Sequence, residues 1–211
     1  MEAADFTRLR PFLIHTTARA NLPQLFADGR LMSTRKLFER SSARPTFSLE
    51  VRRLASADLQ FAKGHAIVRD QRPLHEGHIE FTGGWDLRTL VARLNSLVFL
   101  WPATPLGPVP AGLRHAGRYL RQGEELGFIR IRSDIVALEA SALFATVNSG
   151  SPRSVGGIKS RRGPDTFRSL SRFNDPPGAV VEVAFTDLLL PPEAEWSTTL
   201  SGDWQPWRLP T

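Results

Sequence analysis

Apolar residues in this chain come in short runs broken by glycine, proline and charged residues, and the runs switch between strand-like and helix-like spacing. Residues 13–17, Leu-Ile-His-Thr-Thr, read as a strand. Pro23 near the start, Leu22, Leu25 and Phe26 within and Gly29 after the end mark a short capped helix behind it. A second helical turn is expected within 30–39, and 49–61 is helix-prone. Residues 65–69 read as a strand that ends in the polar loop 70–73. Gly83-Gly84 marks a turn, and Asp86 is placed to cap a helix over 87–94. Residues 96–101 are strongly strand-like and stop at Pro102, where a proline-rich loop runs to 110. A helix is expected over 113–121. Residues 127–132 alternate apolar and basic side chains, as a half-exposed strand does, and Ser133-Asp134 then caps a short helix. Strands follow over 143–147 and 180–185, separated by a Gly-, Ser- and Arg-rich loop over 148–163. No repeat, linker or βαβ rhythm interrupts this order, so the expected architecture is one α+β domain over 1–211.

The chain of 211 residues is long enough for one well-buried core. Its 41% hydrophobic and 23% charged residues are those of an ordinary globular protein. The longest apolar runs, such as 97–101, are too short to span a bilayer, so no membrane partner is expected. The acidic start, Met1-Glu2-Ala3-Ala4-Asp5, lacks a basic-then-apolar signal pattern. The absence of cysteine excludes disulfides, thiolate metal sites and a cysteine nucleophile, and fits a cytoplasmic protein. The net charge is +6, and all but Lys36, Lys63 and Lys159 of the 27 basic residues are arginine. That bias reflects either a GC-rich genome or an anionic partner such as nucleic acid. Its distribution is uneven: Arg153, Lys159, Arg161, Arg162, Arg168 and Arg172 face a single acid, Asp165, between 151 and 172.

Several residues carry candidate chemistry. His15 and Thr17, two apart on a strand, share a face. They are either core groups satisfied by backbone, or donors and acceptors for ribose hydroxyls or a carboxamide. Glu182 interrupts the run Val-Val-Glu-Val-Ala-Phe. It is either an exposed residue paired with an arginine, or a carboxylate that stabilises an oxocarbenium-like centre. Arg69 and Arg72 flank a loop that is either a solvated turn or a pyrophosphate contact. Arg72 is restrained to extended conformations by Pro73. Asn95 is a helix C-cap or a ligand contact at a strand mouth. Asn148-Ser149-Gly150 and the segment from Arg162 to Phe167 bracket the basic loop. That loop is a surface hairpin or a substrate-engaging element, with Arg153, Arg161 and Arg162 neutralising phosphates and Phe167 or Phe173 stacking a base. His75-x-x-His78, near His65, lacks an acidic or thiolate partner, so no metal site is expected. No Gly-x-Ser-x-Gly elbow, Walker loop or dinucleotide fingerprint is present. Trp196, Trp204 and Trp207 are expected to pack back onto the body.

The order of these segments resembles a known family. Leu13-Ile14-His15-Thr16-Thr17, then Asn21-Leu22-Pro23 and Asp28-Gly29-Arg30-Leu31, is similar to the opening of the DarT-like ADP-ribosyltransferases. A closer likeness is to an uncharacterised bacterial family related to them. It is carried by Arg69 to Pro73, Trp85, Leu94-Asn95 with Val98-Phe99-Leu100-Trp101, Asn148 to Gly150, Arg162-Gly163 and Thr166-Phe167. The likeness runs from about His15 to Pro191. It implies an ADP-ribosyltransferase-like fold, with two small β-sheets forming an NAD cleft flanked by short helices. It also implies that His15 and Thr17, with Arg69 and Asn95, hold NAD as co-substrate, and that Arg72 and Glu182 are catalytic. The tyrosine-bearing segments of many relatives have no counterpart here, since Tyr119 is the only tyrosine, so NAD stacking falls to Phe47, Phe99 or another apolar ring.

The expected function is then transfer of ADP-ribose from NAD to a macromolecule, with nucleic acid the favoured acceptor, engaged by Asn148, Arg153, Arg161, Arg162 and Phe167. Such an enzyme would act as a toxin or phage-defence effector with a neutralising antitoxin partner. The alternatives are a non-enzymatic nucleotide- or nucleic-acid-binding module of the same fold, and an NAD glycohydrolase with water as acceptor.

Overall fold

The computed structural model describes residues 1–208. Helix α1 (Ala3–Leu9) leads into strand β1 (Phe12–Ala18), a 3₁₀ turn at Arg19–Asn21 and helix α2 (Leu22–Asp28). Pro23 occupies the first turn of α2, and Gly29 closes it at φ 62°, in the left-handed region that a Cβ disfavours. Strand β2 (Arg30–Met32) and helix α3 (Thr34–Arg40) follow, then β3 (Ala57–Gln60), β4 (His65–Val68) and β5 (Ile79–Phe81). Helix α4 (Leu87–Asn95) is capped by Asp86, whose carboxylate accepts the Thr89 N–H at 2.7 Å. Then come β6 (Val98–Thr104), β7 (Gly107–Pro108), α5 (Pro110–Leu120), β8 (Leu126–Arg132), α6 (Leu138–Ser141) and β9 (Leu143–Ala145). The chain continues through β10 (Ser160–Arg162), β11 (Arg168–Ser169), β12 (Glu182–Phe185), β13 (Asp187–Leu189), β14 (Glu195–Ser197) and β15 (Gln205–Pro206).

The α+β class is as expected, but the sheets are not two small ones. Nine strands form one sheet in the order β11-β9-β12-β6-β1-β8-β14-β15, with β7 folded onto β6. Three two-stranded sheets lie outside it: β3–β4, β2–β13 and the parallel pair β5–β10. The feature that positions the site is a change of partner along β6. Val98, Phe99 and Leu100 pair with β12 on one edge, whereas Trp101, Pro102 and Ala103 pair with β1 on the other. Beyond Ile14↔Trp101 the two central strands part, and His15 to Ala18 stay bonded only to β8. A cleft opens in that fork.

Side chains alternate between the two faces of the large sheet, and both faces carry core residues. Leu13, Leu100, Ile129, Ile131, Phe144 and Val183 belong to the main core, while Ile14, Ala103, Phe128, Ala116 and Tyr119 pack together with α5. Gly112 lets α5 approach β6, since a Cβ there would meet Trp101 Cγ at 2.7 Å. A third core lies beneath α4 and contains Leu74, Leu90, Val91, Leu94 and Phe167. Trp207 stacks on Phe26 at 4.4 Å, Trp196 meets that ring edge-on, and Trp204 lies under Arg130, so all three pack on the body.

Three local expectations fail. Residues 49–56 form no helix, and β3 begins at Ala57. The cause is tertiary: Arg53 and Gln71 exchange backbone and side-chain hydrogen bonds, and the Arg53 guanidinium is drawn inward. Strand β6 runs through Pro102 rather than ending there. The Pro102 carbonyl accepts from Val109 N on the edge away from β1, so its nitrogen also faces that edge and the β1 ladder loses no donor. Ser133 caps no helix, because its hydroxyl donates to the Arg10 carbonyl and α6 starts only at Leu138.

Candidate functional site

The fork between β1 and β6 holds a cleft of about 260 Å³, walled by His15, Thr17, Arg53, Arg69, Tyr119 and Glu182 among others. His15 is the first residue past the parting of the strands. Its Nδ1 donates to the Phe99 carbonyl at 2.9 Å, where the ladder would have supplied a backbone N–H. That bond fixes the tautomer and leaves Nε2 as an acceptor. Burial holds the imidazole below its ordinary pKa; the Phe99 carbonyl opposes this and nearby Arg69 adds to it. The Thr17 hydroxyl accepts from Asn21 Nδ2 at 2.8 Å and keeps its own proton to donate. Asn21 also makes a two-way bond with the Ile67 backbone, which ties β4 to the cleft rim.

Glu182 opens β12 with only 3% of its surface exposed. Its Oε2 accepts from the Ser149 backbone N–H at 3.0 Å and the Ser149 hydroxyl at 2.6 Å. Oε1 has no hydrogen-bond partner among the described residues. Burial pushes the Glu182 pKa up to about 7, against the Ser149 hydrogen bonds and the field of Arg162. Asn148 lines the cleft, but its role is to shape the turn that presents Ser149: its carbonyl accepts from Arg162 Nη2 at 2.7 Å. Arg162 is fully buried and also donates to the Ser149 and Arg161 carbonyls and the Ser160 hydroxyl. It braces the site and is not available to phosphates, contrary to the sequence expectation.

Within the 69–72 loop the preference reverses. Arg69 lines the cleft, with its guanidinium 3.9 Å from the Tyr119 ring centroid and its Nη1 paired with Glu124. Its Nε and Nη2 are buried without a partner. Arg72 is exposed, lies outside the cleft walls and donates its Nε to the Leu54 carbonyl.

Asn95 also leaves the ligand set and is not the helix C-cap, which is Ser96. It is 1% exposed and has no place on the cleft wall. Its Oδ1 accepts from Arg53 Nη1 at 2.9 Å and its Nδ2 donates to the Leu49 carbonyl at 2.8 Å. Phe167 is a core residue, 6% exposed and 5.9 Å from Phe99, so it offers no face to a base. Arg161 pairs with Glu80 at 3.3 Å on the surface, whereas Arg153 is exposed and lines a neighbouring cavity. Of the two stacking candidates, Phe99 lines the cleft; Phe47 instead packs on Phe38 and beneath Arg53.

Arg53, Tyr119 and His115 line the cleft, and sequence reasoning did not place any of them there. Arg53 reaches the cleft 7% exposed with no carboxylate partner among the described residues, and burial lowers its pKa to about 10. His115, on α5, is pushed down to about 4 by burial and then by Arg69 and Arg118. Only the charge pattern of α5, with arginines at 114, 118 and 121, hinted that this helix faces a site.

A family model, described as a family of unknown function (DUF7002), matches residues 11–189. The chain belongs to that family. The DUF7002 region takes in every strand from β1 to β13, and with them the whole fork, His15 and Glu182. No curated protein and no solved structure matches the chain. Among the described residues of this DUF7002 protein no group of three or more His, Asp or Glu could hold a metal ion. Among those residues no helix is long and apolar enough to cross a membrane.

Proposed function

We propose that this chain is an NAD-dependent ADP-ribosyltransferase acting on a macromolecular acceptor, the activity its likeness to the DarT-like enzymes implies. The observation that supports this reading is one cleft containing three prepared but unspent groups. These are Glu182 with Oε2 held and Oε1 unpartnered, His15 with Nδ1 held and Nε2 unused, and Arg69 with two buried donors unpaired.

Each group has a task in that chemistry. Arg69 Nε and Nη2 form the fork that receives a pyrophosphate oxygen. His15 Nε2 accepts a ribose hydroxyl, and the Thr17 hydroxyl donates to the nicotinamide side. The bond between the anomeric carbon and the nicotinamide nitrogen breaks, and its electron pair neutralises the pyridinium. Positive charge grows on the ribose next to Glu182, whose ionised form stabilises it. The acceptor nucleophile then bonds to the anomeric carbon and releases its proton. Because Ser149 holds one carboxylate oxygen, the other needs no reorganisation as the charge develops.

The test is nicotinamide release from NAD by the wild type and by Glu182→Gln, with labelled NAD followed into nucleic acid and protein pools. Loss of one preorganised electrostatic contact is expected to slow release by about 10²-fold or more. Undiminished release by the glutamine variant would remove this reading.

A further inference from the structure

We infer that a second cavity, beside the cleft, is a binding site for a compact polyphosphate, a chain of two or three phosphate groups either free or carried by a nucleoside. The site stands apart from the transferase reading above. The cavity measures about 620 Å³, within the range of small-molecule sites, and shares His115, Arg118, Asn148 and Ser151 with the cleft wall. Six arginines line it, at positions 10, 114, 118, 121, 153 and 162, and no carboxylate does.

Two of the six are occupied. Arg118 bonds Asp70 at 2.7 Å, and Arg162 is spent on backbone carbonyls. Arg10, Arg114, Arg121 and Arg153 have no carboxylate partner among the described residues, and Arg10 Nε is buried with no hydrogen-bond partner. Elsewhere on the surface arginines do meet carboxylates, as Arg88 meets Glu50 and Arg132 meets Asp134. Like charges gathered around a cavity repel one another and destabilise the folded chain unless an anion offsets them.

The layout selects the kind of anion. The four uncommitted guanidinium groups come from three separate parts of the chain: Arg10 joins α1 to β1, Arg114 and Arg121 lie two turns apart on α5, and Arg153 follows β9. Cations set around a hollow suit one compact ion held from several sides. The first turn of α5, at Pro110 and Ala111, opens on the same cavity with no side-chain cap, so the positive end of that helix adds to the field. Val109, Val147, Val180 and Val181 line the cavity as well, and apolar walls strengthen the attraction of an ion for its partners. Charge then sets the size of the ligand. A phosphate group carries about −1.5 to −2 at neutral pH, so two or three balance four guanidinium groups and a single phosphate or carboxylate does not. The planar fork of each arginine matches phosphate oxygens. His115 is the only ring on the wall, and it is already packed against Trp101 and Tyr119, so the site offers no platform for a base.

The test is isothermal titration calorimetry of the whole chain with sodium tripolyphosphate, in magnesium-free buffer at 0.1 M salt. One ion should bind per chain. Arg114→Gln and Arg121→Gln should each weaken binding about tenfold, since each removes a charge-assisted contact. Arg44→Gln, an identical charge loss at an exposed position that lines neither cavity, should leave binding unchanged. Arg69→Lys, in the cleft, should leave it unchanged too, and added NAD should not displace the ion. Orthophosphate should bind at least about tenfold more weakly. Adenosine triphosphate at equal affinity assigns the site to the phosphate chain whatever carries it, and weaker adenosine triphosphate assigns it to the free ion. Absent binding, an equal loss in Arg44→Gln, or a loss confined to Arg69→Lys would overturn the inference. So would adenosine triphosphate bound far more tightly than tripolyphosphate, or displacement by a mixed-sequence oligonucleotide at a lower phosphate concentration. None of these readouts depends on nicotinamide release, so the site and the transferase reading fail separately.

Discussion

Glu182→Gln should stabilise this protein at alkaline pH and do little for it in acid. The carboxyl group is 3% exposed, and burial raises its pKa from 4.5 to about 7. The sign follows from proton counting. Between those two values the folded state holds a proton that the unfolded state has released, so stability falls as pH rises through this window. Below about pH 4.5 both states are protonated and the carboxyl contributes no penalty; above about pH 7 the penalty is complete. A shift of this size corresponds to about 3 kcal/mol. Glutamine keeps an acceptor for Ser149 and can never ionise. In a domain of this length that difference moves the thermal midpoint by about 6–12 °C.

The assay is a pair of melting curves, wild type and Glu182→Gln, at pH 5 and at pH 8.5. His115, whose pKa is pushed down to about 4, adds its own slope on the acid side. That slope is common to both proteins and cancels in their difference. The midpoint gap should therefore open with pH. A gap that is the same at both pH values would refute the claim that an ionised carboxylate is being held out of water. It would also remove the argument that Glu182 is poised to gain when positive charge appears beside it.

Two further substitutions separate ligand contacts from scaffold. Arg69→Lys keeps a charge near Glu124 but removes the planar fork whose Nε and Nη2 are unpartnered, so the KM for NAD should rise about tenfold or more. Arg72→Lys should leave KM unchanged, and an equal effect of the two would return the pyrophosphate contact to Arg72. Asn95→Leu strands the Arg53 guanidinium and the Leu49 carbonyl inside the protein. Its urea midpoint should fall by the equivalent of about 2–4 kcal/mol, and a change under about 1 kcal/mol would show that Asn95 is not the tether.

What the sequence made legible was local. Pro23 and Gly29 bounded α2, and Asp86 capped α4, because a cap depends on residues one turn apart. Strands β1, β6 and β12 were visible as β-prone runs, and Glu182 stood out because a carboxylate in such a run needs a reason. The failures share a cause in distance along the chain. The Asn95 and Gln71 partners of Arg53 lie 42 and 18 residues away, so composition read 49–61 as a helix. Arg162 looked like one of many solvated arginines because its partners are backbone carbonyls, which carry no sequence signature. Phe167 looked free to stack on a base because nothing local shows that α4 covers it.

His15 shows why the site itself was only half readable. A polar residue in an apolar strand is visible in the sequence, and its spacing to Thr17 suggested a shared face; both residues line the cleft. The reason for a cleft is not visible, because it depends on β6 giving its first half to β12 and its second half to β1. Once that exchange occurs, the Phe99 carbonyl faces the fork with no backbone donor, and an unpaired buried carbonyl is costly. An imidazole satisfies it with one nitrogen and leaves the other for a ligand. An aliphatic side chain at this position has no donor for Phe99, and a hydroxyl has only one proton to give. The same residue therefore satisfies the carbonyl that the parting of the strands exposes and furnishes a polar group to the opening, so fold and binding chemistry are joined at position 15 and not merely adjacent there.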